Sequence, residues 1–95
     1  MFNLKGKKAL ITGSTQGIGF AIAEALAKQG ATVYIHGATS IEKCQSAAKR
    51  IEGSIPVCQS LTDKDGADKL YEMVGDVDIL VLNASIQYRK AWDEI

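Results

Sequence analysis

Short, unbroken apolar runs recur along the chain at Ala9–Ile11, Val33–Ile35, Ile55–Val57 and Ile79–Leu82, each close to Gly, Asp or Ser. They are continuous rather than alternating, which is the pattern of strands covered on both faces. Helical spacing fills the intervals. The first helix is expected over about Gly17 to Gln29, with Ile18, Ile22, Ala25 and Leu26 on the inner face and Gly30 as a left-handed cap. The second is expected over about Ser40 to Ile51, with Ile41, Cys44, Ala48 and Ile51 inward and Thr39 and Glu42 at capping-box spacing. The third is expected over about Asp63 to Val74, with Ala67, Leu70, Tyr71 and Val74 inward and Thr62 and Asp65 at a similar spacing. A fourth helix is expected to begin near Lys90.

An alternation of strand and helix predicts an α/β fold. Crossovers of this kind are almost always right-handed and lay the strands in parallel. The doubly wound order is then 3-2-1-4. Pro56 supports this order, because it lies in the third strand and proline is tolerated at a sheet edge. On the opposite side the fourth strand, Ile79–Leu82, is followed by no fifth strand in this sequence, which leaves an apolar edge with unpaired backbone groups. The expectation is a truncated sheet, either part of a longer protein or one whose edge a partner covers.

Composition narrows the function classes. Residues 1–95 hold one partial domain at most. Eleven basic and eleven acidic residues cancel, so no excess charge argues for nucleic acid or a membrane surface. No run approaches the ~20 apolar residues of a bilayer span, and Ala9–Leu10–Ile11 is too short for a signal-peptide core. The reading is a cytoplasmic protein. Cys44 and Cys58 lack metal spacing and read as small buried hydrophobes in a reducing compartment. No metal site is expected.

The candidate chemistry lies directly after the first strand, in Thr12-Gly13-Ser14-Thr15-Gln16-Gly17-Ile18-Gly19. Gly13 permits a tight turn at positive φ. Gly17 lets the backbone approach a diphosphate with no Cβ in the way, and Gly19 lets the helix pack close to the strand. The amides of the first helical turn and the helix dipole then point at an anion. Ser14 and Thr15 add hydroxyl donors. Three glycines alone are weak evidence of function; between a strand and a helix in a βαβ unit they sit where a dinucleotide cradle needs them.

TGxxxGxG resembles the cofactor fingerprint of the short-chain dehydrogenase/reductase family. The lead-in Leu4-Lys5-Gly6-Lys7-Lys8-Ala9-Leu10-Ile11 resembles that family's opening, and Leu82-Asn83-Ala84-Ser85 resembles its NNAG segment. The resemblance implies a Rossmann-type fold, a nicotinamide dinucleotide as cofactor and a small carbonyl or alcohol substrate. It also leaves room for a homo-oligomer. It implies that Asn83 steadies the central sheet and that Ala84 and Ser85 run beside the cofactor. Two departures stand out: Leu82 replaces the first Asn of NNAG, and Ser85 replaces its Gly.

Cofactor preference is usually declared at the end of the second strand, where a carboxylate selects NAD over NADP. Here the segment is His36-Gly37-Ala38-Thr39-Ser40, with neither acid nor arginine. Thr39 and Ser40 open a helix, so their hydroxyls and amides are candidate holders of a 2′-phosphate; His36 is a contributor when protonated, although a strand-end histidine is more often a packed or half-exposed side chain. The stretch resembles the 3-oxoacyl-carrier-protein reductase and gluconate 5-dehydrogenase branches of the family. NADP(H) is slightly favoured over NAD(H). After the third strand the family places an aspartate beside the adenine; Ser60 stands there, a weaker acceptor, followed by Leu61, expected to pack on the adenine edge.

The family's acid/base pair is Tyr-x-x-x-Lys, in which the lysine lowers the phenol's pKa. Tyr34, Tyr71 and Tyr88 have no lysine four residues on, so no catalytic residue is assigned within this sequence. Gln87, Tyr88 and Arg89 are candidates for the rim of a substrate mouth. The expectation is the cofactor part of an NAD(P)-dependent oxidoreductase. The rival readings are a non-catalytic dinucleotide-binding or interaction fragment and a nucleotide-binding fold of another class, such as a methyltransferase. TGxxxGxG disfavours the latter.

Overall fold

The computed structural model of the protein describes residues 3–62 and 64–83. Along the chain it contains β1 (Lys8–Ile11), α1 (Gly17–Lys28), β2 (Thr32–Gly37), α2 (Ile41–Lys49), β3 (Ile55–Cys58), α3 (Lys64–Val74) and β4 (Ile79–Val81). All strand pairs are parallel, and the order is β3-β2-β1-β4. The α/β fold expected of the sequence is the one observed, with the same strand order. The region expected to begin a fourth helix, near Lys90, lies outside the described residues.

Pro56 is on the edge strand, opposite Ile35 of β2. Gln59 donates its N–H to the Gly37 carbonyl. Strand geometry has a period of two, so the Val57 N–H faces β2 as well and the Pro56 nitrogen faces outward. The missing donor therefore costs the ladder nothing. At the other edge, among the described residues, β4 is paired on one side only.

The two sheet faces carry separate cores. Ala9, Ile11, Val33 and Ile35 pack with Phe20 and Ala23 of α1 and Ala47, Ala48 and Ile51 of the α2 region. Leu10 and Val57 pack on the other face with Leu70 and Val74 of α3. Lys8 braces that second layer from below. Its ammonium donates to the Val74 carbonyl at 2.9 Å, where the α3 dipole is negative, and its backbone N–H donates to the Asp78 carboxylate at 2.9 Å.

The inner faces of the helices keep Ile22, Leu26, Cys44, Ala48, Ile51, Leu70 and Val74 as expected and lose five other residues to solvent. Ile18 is 73% exposed and Ala25 is exposed, while Gly19, Phe20 and Ala23 are buried. The cause is Gly19: a Cβ there would stand 2.4 Å from the Gly13 carbonyl oxygen, so the helix turns its smallest residue to the strand. In α2, Ile41 is 43% exposed and Cys44, Ala47 and Ala48 face the sheet. In α3, Tyr71 is 58% exposed, its phenol donating to the Asp76 carboxylate, and Ala67 is exposed. Gly66, Leu70 and Val74 form the buried row instead. Gly66 sets it, since a Cβ there would lie 2.2 Å from the Ser60 carbonyl oxygen.

The cap of α2 is Ser40 rather than Thr39: its hydroxyl accepts from the Lys43 N–H at 3.2 Å. The end of α1 is as expected. Gly30 has φ +104°, its N–H donates to Ala27, and the Ala31 N–H donates to Leu26, a Schellman arrangement. Gly30 also lies against the lead-in segment, where a Cβ would sit 3.0 Å from the Lys5 nitrogen. We expect Gly30→Ala to lower stability by about 1–2 kcal/mol through the left-handed φ alone, read as a shift of the urea midpoint with an unchanged slope.

Candidate functional site

The carboxyl ends of β1, β2 and β4 converge on the glycine turn. Gly13 has φ +62°, and a Cβ on it would lie 2.6 Å from the Asn83 carbonyl oxygen. Gly19 is equally hemmed in, by the Gly13 carbonyl, the Asn83 side-chain amide and the Ser14 Cα. Gly17 is the opposite case, with φ +65° and nothing within 4 Å of where a Cβ would be. The three glycines thus do different work: two allow close packing, and the third presents bare backbone to solvent.

The amides of the turn divide in the same way. The Gly13 N–H donates to His36 Nδ1 at 3.0 Å, and the Ser14 N–H donates to the His36 carbonyl at 2.8 Å. Among the described residues, the amides of Thr15, Gln16, Gly17, Ile18 and Gly19 donate to no partner; the Phe20 N–H resumes the helical pattern by donating to Gln16. No acidic residue stands in the first turn of α1 and no side chain caps it. An open row of donors at the positive end of a helix is an anion site by its own electrostatics.

The remaining predicted site residues fall into distinct positions. Ser14 is fully buried, and its hydroxyl accepts from the His36 N–H at 2.8 Å, so it locks the turn rather than reaching a ligand. Thr15 is half-buried, with its methyl against Gly37. Gln16 and Ile18 are exposed beside the turn. Gly37 is buried because a Cβ on it would lie 2.8 Å from Cys44 Sγ and 3.0 Å from the Thr15 methyl. Ala38 and Thr39 are exposed at the end of β2.

His36 is 2% exposed, and both ring nitrogens are used. Nε2 lies 2.8 Å from the Gln59 carbonyl, which can only accept, so Nε2 carries the proton and Nδ1 is the acceptor for Gly13. Burial holds the imidazole below its ordinary pKa, with the Gln59 carbonyl pulling the other way. A protonated His36 beside a phosphate, as the sequence suggested, is therefore not its role here.

The Ser60 hydroxyl is paired with Thr62 Oγ1 at 3.0 Å. Leu61 is half-buried and packs on the core formed by Leu10, Val57, Leu70 and Val74, a reason to find it in this turn that needs no ligand. Asn83 ties β4 to the turn: its N–H donates to Thr12 Oγ1 at 3.0 Å and its side-chain amide to the Gly13 carbonyl at 3.1 Å. Ala84 and Ser85 lie outside the described residues, as do Gln87, Tyr88 and Arg89.

Sequence reasoning missed three participants. Thr12 belongs to the motif but had no role assigned; it is buried and bonds Asn83. Gln59 offers the carbonyl that orients His36. Beside the turn lies a cleft of about 310 Å³ lined by Thr15, Gln16, Glu42, Lys43, Ser46, Ala47 and Arg50. The signal for it was available, since Glu42, Ser46 and Arg50 share an i, i+4, i+8 stripe. Arg50 stays in place by stacking on Phe20, 4.3 Å from the ring centroid. Cys44 donates to the Val57 carbonyl, and burial followed by the neighbouring Cys58 thiol pushes it up in pKa, so it is an inert thiol. Among the described residues no group of His, Cys, Asp and Glu is placed to hold a metal, and no helix is long and apolar enough to cross a membrane.

A glycine turn with open amides at the carboxyl edge of a parallel sheet, at the end of the strand where the order reverses, is the arrangement of the doubly wound α/β class of fold. A family model described as short chain dehydrogenase matches residues 7–95, and the chain belongs to that family. It is 36% identical to gluconate 5-dehydrogenase of Gluconobacter oxydans, over 100% of this chain and 43% of the relative. It is 38% identical to the 3-oxoacyl-[acyl-carrier-protein] reductase FabG of Aquifex aeolicus, over 97% of this chain and 44% of the relative. The chain therefore spans less than half the length of these relatives. A solved short chain dehydrogenase/reductase family protein superposes with a TM-score of 0.83 at 41% identity, covering 90% of this chain and 36% of the other. Landomycin C-6 ketoreductase LanV, solved with bound NADP and rabelomycin, superposes with a TM-score of 0.74 at 38% identity, covering 90% and 40%.

The contrast between the glycines is testable. Gly19→Ala should destabilise by at least about 3 kcal/mol through overpacking against main chain, and should move the amide resonances of Gly13 and Asn83. Gly17→Ala should leave those resonances in place and lower stability only by the ~1–2 kcal/mol of its φ. Equal perturbation by both variants would show that Gly17 is also a packing residue.

Proposed function

We propose that this chain is the cofactor-binding part of an NAD(P)-dependent oxidoreductase that moves hydride between a nicotinamide dinucleotide and a small carbonyl or alcohol. The observation that carries the reading is the row of unpartnered amides from Thr15 to Gly19, opening around a Gly17 whose missing side chain would otherwise cover them. The fit is one of chemistry: a diphosphate brings acceptors only, and the turn offers donors only. Gln16, Gly17, Ile18 and Gly19 hold the diphosphate, Thr15 lies at its side, and Gly13 and Asn83 keep the turn against the sheet. When bound, the dinucleotide supplies the hydride; the chain's residues bind and orient it.

NADP(H) is favoured over NAD(H). The end of β2 offers no carboxylate to repel a 2′-phosphate. Exposed Ala38 and Thr39 leave room there. Lys43 and Arg50 outnumber Glu42 in the adjoining cleft, and Glu42 faces the Ser40 hydroxyl at 3.5 Å. LanV, a relative in fold and sequence, was solved with NADP. Ser60, Ala84 and Ser85 are assigned to the cofactor on the family resemblance.

A second reading, binding without catalysis, is favoured by one feature: no tyrosine in residues 1–95 has a lysine four positions later. The two are separated by measuring NADPH and NADH binding by fluorescence and NADPH oxidation with simple ketones. Binding without turnover is expected from these residues alone. Robust turnover would refute the assignment of the acid/base pair to another part of the protein. Gly17→Leu should weaken binding at least about a hundredfold, the worth of two charge-assisted hydrogen bonds. Unchanged affinity in that variant would put the phosphates elsewhere.

A further inference from the structure

The buried imidazole of His36 reaches no ligand, yet it joins the turns after β1 and β3. Four hydrogen bonds meet at this residue. Its main chain exchanges bonds with Ser14, the His36 N–H donating to Ser14 Oγ and the His36 carbonyl accepting from Ser14 N–H. Its ring donates from Nε2 to the Gln59 carbonyl and accepts at Nδ1 from the Gly13 N–H. The two main-chain bonds are indifferent to the charge on the ring, and the Nε2–H bond to the Gln59 carbonyl favours the charged form. The bond at Nδ1 is lost on protonation, because an imidazolium has no lone pair there.

We infer that His36 is a positioning residue and an acid-sensitive latch: its neutral Nε2–H form holds the Gly13 amide and so shapes the open row of amides that follows, and protonation at Nδ1 releases that turn. The effect on cofactor affinity rests on the dinucleotide reading above. On protonation, two N–H donors face each other at a ring that is 2% exposed. A buried donor without an acceptor is unfavourable enough to drive main chain apart.

Among the described residues no nearby charge offsets this. The turn from Thr12 to Gly19 has no ionisable side chain. On β1, Lys8 is held at the far end by the Val74 carbonyl. On β3, Cys58 pairs in register with Gly37 and so points to the other face, where Cys44 lies. Tyr34 of β2 and Tyr71 of α3 share the His36 side of the sheet. Asp65, Asp68, Lys69 and Glu72 of α3 are exposed. Burial depresses the folded-state pKa of His36, so the latch is closed at neutral pH. The sign follows: the stabilisation is complete above the ordinary imidazole value of about 6.5 and is lost as pH falls through the lower folded value.

Nitrogen-15 NMR on the ligand-free protein tests the latch directly. The expected ring is the Nε2–H tautomer at pH 8, with the Gly13 amide shift and its exchange protection titrating at the same midpoint as His36. An Nδ1–H tautomer, a Gly13 amide indifferent to His36 titration, or an imidazole that stays neutral to the acid limit of the fold would each overturn it. The second arm measures the NADPH dissociation constant from pH 8 to one unit below the His36 midpoint found by NMR, in the wild type and in His36→Asn, which keeps an acceptor near Nδ1 and cannot take a proton. The ratio of wild-type to variant constants should rise about tenfold per pH unit below the His36 midpoint; titration of the ligand's own phosphate cancels in that ratio. Parallel pH profiles would refute the coupling. Failure of the wild type to bind NADPH or NADH at pH 8 would sink the cofactor reading, while the NMR arm would still decide whether His36 holds Gly13.

Discussion

A row of main-chain donors can face a ligand only if the chain just ahead of it is held down. In this protein the holding is done by the end of β2. His36 and Ser14 exchange backbone and hydroxyl bonds, and the His36 ring takes the Gly13 amide, so two successive N–H groups are engaged before the free row begins at Thr15. Asn83 and Thr12 hold the turn from the β4 side. The glycines then follow as consequences. Gly13 and Gly19 are where backbone meets backbone, and Gly17 is where backbone meets solvent.

This arrangement explains how a chain with no net charge can present an anion site. The attraction is local, from oriented peptide dipoles and donors without partners, and needs no cationic field around it. The cations that stand nearby, Lys43 and Arg50, line a neighbouring cleft rather than the turn itself.

The strand order was legible because apolar runs, crossover handedness and one proline constrain it jointly. The glycine motif was legible because its spacing encodes a mechanism. The inner faces of α1 and α3 were only partly legible because periodicity ranks positions by hydrophobicity, whereas Gly19 and Gly66 orient their helices by being small enough to touch main chain. Ile18 and Tyr71 are apolar or aromatic yet exposed, since each sits one step around from such a contact. That His36 is packed was one of the readings its place at a strand end allowed, but its partners were not legible: they are the Gly13 amide and the Gln59 carbonyl, brought to it by the pairing of β2 with β1 and β3. Ser14 was misread for the same reason, its hydroxyl turned inward to the neighbouring strand.

Pro56 makes the two rims of the sheet unequal. Its nitrogen faces away from β2, so the outer margin of β3 lacks one donor in the row that an incoming strand would have to match. The outer margin of β4 has no such gap. Any lengthening of this sheet, by the same polypeptide or by another, is thus steered to one rim. The architecture has a direction of growth written into a single imino acid.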